Sequence, residues 1–164
     1  MVYREEFQVT SNANIPTFHD VTELAKKTLE NSGIRDGILV VYSHHTTCCV
    51  IIEEDAFDMS MTGLKTLQQD LVEVFEGVIP TYHKEGMYLH PGPKALEFGL
   101  EHDEDARACH NTDAHLRSSL IGRSETIVVM DGKLDLGEFG RIYFIDFDQT
   151  RVRTRTVQIQ VIGD

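Results

Sequence analysis

The sequence predicts an α+β fold: one domain over residues 1–164 in which antiparallel β-sheet, as an open sheet or a sandwich, predominates over a few helices. Three observations predict it. Two segments with apolar residues at helical spacing alternate with extended segments in the first half of the chain. The last third, "ETIVVMDGKLDLGEFGRIYFIDFDQTRVRTRTVQIQVIG", is rich in Val, Ile, Tyr, Phe and Thr and carries a hairpin signal. No repeat, low-complexity tract or Gly/Ser-rich linker marks a place to divide the chain.

In chain order, "YREEFQVT" (3–10) alternates as an opening strand does. "DVTELAKKTLENSG" then spaces Val21, Leu24, Ala25 and Leu29 as a helix, with Asp20 as its cap, Glu23 completing a capping-box-like pair and Gly33 as its stop. "GILVVYSHHTTCCVIIEE" reads as two extended segments or one long bent one, because β-branched residues dominate. Met61, Leu64, Leu67, Leu71, Val74 and Phe75 recur at intervals of three or four and predict an amphipathic helix ending near Gly77 and Pro80.

Residues 81–110 predict a long loop with one helical turn around Lys94 to Leu100. "NTDAHLRSSLIG" predicts a short helix, capped by Thr112 or Asp113 and stopped by Gly122. Met130-Asp131-Gly132-Lys133 is the hairpin signal, and three or four antiparallel strands follow.

Charge narrows the function classes. Fifteen Lys and Arg against 27 Asp and Glu leave a formal charge of −12, which argues against nucleic acid or anionic membrane as a partner. An anionic ligand must therefore be held by a local positive site. No segment approaches the roughly 20 apolar residues of a membrane span, and the N-terminus lacks the apolar core of a signal peptide. Three cysteines, two of them adjacent, form no disulfide framework, so the expected setting is the cytoplasm.

Candidate chemistry rests on histidines. His45, His83 and His115 lie in separate segments and form no short metal motif. Were they to converge, they would hold a zinc-like divalent ion with open positions, able to acidify water or polarise a substrate oxygen, and Glu54 would serve as base or as a carboxylate orienting a ligand. His44 and His45 are neighbours on opposite faces of an expected strand, and alternation does not choose between them. His19, His90 and His102 read as solvated or merely hydrogen-bonded. Cys48 and Cys49 read as small buried hydrophobes rather than nucleophiles.

Arg117, Ser118 and Ser119 follow Asp113 and His115 on a short helix and form either an anion-holding set or a solvated face. Arg151, Arg153 and Arg155 alternate along one strand face and read as a solvated or subunit-bridging stripe.

"HHTTCCVIIEED", "YH" at 82–83 and "NTDAHLRSSLIGRSETIVVMDGKLDLGEFGRIYFIDFD" together resemble the YjbQ family, often labelled secondary thiamine-phosphate synthase, over nearly the whole chain. Carried over residue by residue, the resemblance implies that His45, His83 and His115 converge on a metal, and it favours His45 over His44. It also carries Glu54 over as the family's acid; beside it, the residues themselves offer Asp113 as a second catalytic candidate and Arg117 with Ser118 or Ser119 to hold an anionic substrate. This chain departs from the family pattern at Gly137-Glu138-Phe139-Gly140 and in a longer segment from Lys84 to Cys109, and His110 has no counterpart.

The expected activity is metal-dependent and weakly thiamine-phosphate-synthase-like, joining a pyrimidine diphosphate to a thiazole phosphate, or related chemistry on phosphorylated small molecules. The alternative is a non-catalytic oligomeric protein that binds a metal or metabolite. The resemblance also implies a homotrimer.

Overall fold

The computed structural model describes residues 1–164. Its elements run β1 (Val2–Thr10), β2 (Thr17–Asp20), α1 (Thr22–Ser32), β3 (Gly37–Tyr42), β4 (Cys48–Glu54), α2 (Thr66–Val78), α3 (Pro93–Glu101) and a short 3-10 turn (Ala106–Cys109). They continue with α4 (Thr112–Ile121), β5 (Ser124–Met130), β6 (Lys133–Leu134), β7 (Gly140–Asp146) and β8 (Thr154–Gly163). The expected α+β class with antiparallel sheet is what the chain adopts.

Two sheets form, one ordered β1-β8-β3-β5-β6 and the other β2-β7-β4, and every strand pair in them is antiparallel. The inner face of the larger sheet presents Leu39, Val41, Ile127, Val129, Val157, Ile159 and Val161. These meet Val50, Ile142 and Phe144 of the smaller sheet and Val21, Ala25 and Leu29 of the α1 region. The reverse face of the smaller sheet packs Cys49, Tyr143 and Ile145 against Phe75 of α2 and Ala114 of α4.

β7 therefore lies between two apolar layers. That is why "GRIYFID" is a nearly continuous apolar run rather than an alternating one.

Most local signals act where the sequence places them. Gly33, at φ 68°, closes α1 as expected, whereas its start differs: Val21 is the N-cap, Asp20 Oδ1 accepts the Thr22 N–H at 2.9 Å from one residue earlier, and no capping box forms because Glu23 accepts from Lys26 instead. Asp131 and Gly132 both take positive φ, 52° and 74°, as a tight two-residue hairpin requires. α2 starts later than periodicity suggested. Met61 is fully exposed and Leu64 is buried in a turned segment before the helix, so the spacing of those two residues reflects a loop folding back rather than a helical face.

The long "GILVVYSHHTTCCVIIEE" run resolves into two strands in different sheets, joined by the turn Ser43–Thr47. Both histidines thus sit on a turn, which removes the opposite-face restriction a strand would impose. α3 supplies the expected helical turn within 81–110. No helix is long and apolar enough to cross a membrane.

Candidate functional site

Four parts of the chain converge at one end of the sheets: the Ser43–Thr47 turn, the segment that supplies His90 and Glu104, the start of α4, and the segment from the end of β7 to the start of β8. Two successive Asp-centred turns shape that last segment. Asp146 Oδ1 accepts the Asp148 N–H at 2.9 Å, and Asp148 Oδ1 accepts the N–H and hydroxyl of Thr150 at 3.0 and 2.6 Å. The bend brings Arg151, Arg153 and Arg155 to the wall of one cavity of about 380 Å³, although only Arg155 lies in a strand.

The three guanidiniums are not equivalent. Arg155, 4% exposed, donates from Nε to Asp146 Oδ2 at 2.6 Å and from Nη2 to Asp146 Oδ1 at 3.3 Å and Thr47 Oγ1 at 3.0 Å. Arg151 donates from Nη2 to Glu104 Oε1 at 2.9 Å. Arg153 has neither an ion pair nor a side-chain hydrogen bond, and burial followed by the like charges of Arg151 and Arg155 weakens its hold on its proton. A half-buried cation without a carboxylate is an anion-seeking group.

Imidazoles face these arginines. The Thr156 N–H donates to His45 Nε2 at 2.9 Å, just beyond the last β3–β8 pair, Tyr42 with Gln158. Burial, then Arg155, pushes the His45 pKa down to about 4, so the ring is neutral near pH 7 and carries its proton on Nδ1. His115 is also lowered, by burial first and then by His90, whose ring stands 5.6 Å away edge to face.

A pH dependence follows. His45 takes up its proton near pH 6.5 when unfolded but only near pH 4 when folded, so the unfolded chain binds more protons between those values and stability falls as pH drops through that window. Allowing for partial solvation, the loss should be about 2 kcal/mol. Urea unfolding of His45→Gln between pH 7 and pH 4.5 should show a flatter profile; an unchanged profile would remove His45 as its source.

The expected site residues are only partly gathered. His45 and His115 share the cavity with His44 and His90. His83 lines a neighbouring cavity, is exposed, and donates from Nδ1 to its own loop at Thr81 O, 2.8 Å. No group of three or more His, Cys, Asp or Glu side chains is arranged to hold a metal ion, and His45 Nε2 is already engaged by a backbone N–H. The donors present do not fit a divalent ion such as zinc, which corrects the expectation of a metal-binding protein.

Glu54 is exposed at the far end of β4, opposite Gly140, about 20 Å from Cys48 at the usual rise per strand residue. It does not reach His45. Asp113 is buried in the first turn of α4 and accepts the Tyr82 N–H at 3.2 Å, with burial raising its pKa. It fastens a loop and does not line the cavity.

Arg117 also turns away. It is 0% exposed and donates to Ile79 O at 3.1 Å from Nε and 2.7 Å from Nη2, and to Glu76 Oε1 at 2.8 Å. Ser118 is buried beside it and Ser119 is exposed on the opposite side of the helix. As expected, Cys48 and Cys49 are buried, and burial pushes both thiols up, away from the reactive thiolate form.

Sequence reasoning missed Arg151, Arg153, Arg155 and Asp148 as site residues. The available signal was the spacing in "DFDQTRVRTR", where alternating acids precede alternating arginines across a turn.

Comparison with known proteins gives a consistent picture. Residues 5–164 match the family model described as UPF0047 protein YjbQ-like. A UPF0047 protein of Methanothermobacter thermautotrophicus is 30% identical over 162 residues, covering 99% of this chain and 93% of that one. YugU of Bacillus subtilis, also a UPF0047 protein, is 31% identical over 144 residues, 88% of each chain.

The crystal structure of a YjbQ/UPF0047 family protein from Clostridium acetobutylicum has a TM-score of 0.71 at 30% identity, covering 96% of this chain and 99% of that one. A YbjQ-like protein from Sulfolobus solfataricus, at 21% identity and TM-score 0.74 over 100% and 99% of the two chains, shares the fold.

These relatives are described by family alone, and none as a thiamine-phosphate synthase or another transferase, so that expectation is corrected as well. With the family model matching residues 5–164 and a solved family member covering 96% of the chain at 30% identity, the protein belongs to the YjbQ-like UPF0047 family.

Proposed function

We propose that the arginine-lined cavity binds a small phosphorylated molecule and works on its phosphate ester. The observation that carries this reading is Arg153, a half-buried guanidinium with no carboxylate of its own, set between two arginines that have theirs. Planar guanidinium suits a phosphate group, and in so acidic a chain a local positive site is what an anion needs. The neutral imidazoles divide the work: His45, with Nε2 held by the Thr156 N–H, can offer its Nδ1–H as a hydrogen bond to a phosphate oxygen, while His115 can take a proton from an attacking water and return it to the leaving oxygen as the ester bond breaks.

Calorimetry with inorganic phosphate tests the binding. Arg153→Ala should lower phosphate affinity at least tenfold with the unfolding midpoint unchanged, because the side chain makes no internal bond to lose. In a screen of phosphate monoesters, His115→Asn should remove turnover while binding persists. Failure of the parent to bind phosphate would overturn the reading; saturable binding without turnover of any monoester would leave a metabolite-binding protein.

We place the protein in the cytoplasm, a setting supported by its three unpaired thiols. We also propose self-association, as a homotrimer, through the outer face of the larger sheet. Val2, Ile162, Ile38 and Val128 lie side by side across four strands there, all exposed. Light scattering of Ile38→Lys/Val128→Glu should show monomers where the parent is trimeric; a monomeric parent would exclude this.

A further inference from the structure

We infer that the cavity beside the phosphate site takes a second anionic group of the same ligand, so that the ligand is a phosphate ester bearing a separate carboxylate or phosphate. This rests on the phosphate reading above.

The neighbouring cavity, about 590 Å³, is lined by Tyr82, His83, Lys84, Arg107, His110 and Gln149 among others, and it shares Ala108 and Arg151 with the first. The two compartments therefore adjoin across one guanidinium. Arg151 uses Nη2 on Glu104, but its Nε is buried without any partner. A buried donor is rarely left unpaired, and an acceptor at the junction of the two compartments would satisfy it.

The chemistry of the second compartment favours an anion. Lys84, Arg107 and Arg151 are donor-only groups. Lys84 has no ion pair, and the Arg107–Asp105 pair is a long 3.7 Å contact between exposed side chains, open to displacement. Across both compartments five such cations, Arg153 and Arg155 included, stand against Glu85, Glu104, Asp105 and Asp148, whereas the whole chain has 15 cations against 27 acids. The stacked rings of Tyr82 and His110, 4.6 Å apart and 14° from parallel, form a flat wall along which the organic part of the ligand can lie.

Matched pairs of ligands test this by calorimetry: 3-phosphoglycerate against glycerol 3-phosphate, and 6-phosphogluconate against glucose 6-phosphate, with inorganic phosphate as reference. In at least one pair the carboxylate-bearing member should bind about tenfold more tightly, and a Lys84→Ala/Arg107→Ala variant should bring that pair to near equality while leaving phosphate affinity intact. Equal binding within both pairs, with phosphate still bound, would overturn the second anion site and leave the phosphate site standing. A preference that survives in the variant would likewise overturn it. Loss of all binding, phosphate included, would instead strike the underlying reading.

Discussion

Replacing Asp146 by alanine is expected to destabilise the protein by about 3–5 kcal/mol, which corresponds to a fall in Tm of roughly 10 °C for a chain of this size. Asp146 is 0% exposed and closes the end of β7, paired in register with both Thr17 and Cys48. Its carboxylate takes two hydrogen bonds from Arg155 and one from the Asp148 N–H. Without it the guanidinium stays buried with Asp148 Oδ2 3.7 Å away as its remaining carboxylate, and the first of the two turns loses its acceptor. The penalty is chiefly that of an uncompensated buried charge, not the net worth of the pair.

The double variant Asp146→Leu/Arg155→Met should accordingly recover much of the loss. Urea midpoints, at an unchanged slope, give the comparison. A loss below about 1 kcal/mol in Asp146→Ala would mean that water reaches this pair, against the burial on which the site's electrostatics depend.

The sequence was most legible where a local rule and the tertiary environment agree. α1 with its Gly33 stop, the Asp131-Gly132 hairpin and the strand-rich final third all follow from period and turn chemistry. The site was harder because its geometry is set by distances that sequence separation hides. Glu54 stands only nine residues after His45, yet the six steps from Cys48 to Glu54 are extended and carry it to the opposite end of β4.

The converse holds for the arginines. Arg155 and Asp146 are nine residues apart and in contact, because the two intervening turns fold the chain back on itself. An overall charge of −12 made a solvated stripe the natural reading of "RVRTR"; charge balance describes the surface as a whole and says little about one concave end of it. α4 held a clue that went unused: Asp113, Ala114, Arg117 and Ser118 follow helical spacing, and that spacing marks them as one inward face.

That inward face carries the second large effect. Arg117→Ala should cost about 3–4 kcal/mol, because the guanidinium bridges α4 to the end of α2. Its Nε and Nη2 both serve Ile79 O, a carbonyl just past the helix where the intrahelical ladder has run out, and Nη2 also reaches Glu76 and Thr81. The cation lies 5.9 and 5.7 Å from the ring centres of Phe75 and Phe147, so truncation opens a void in the smaller core as well. Arg117→Lys should recover only part of the loss, since an ammonium cannot reproduce the planar fork.

Hydrogen exchange should report the change at residues 76–83, where the clamp acts, and phosphate affinity should remain that of the parent. Arg153→Ala reverses the pattern, losing the anion and keeping the fold. Two arginines, one fastening α4 to α2 and one facing the cavity, thus separate stability from binding. If Arg117→Ala abolished phosphate binding at unchanged stability, the anion site would have to be moved to α4, where the helix-borne Arg-Ser-Ser motif first suggested it.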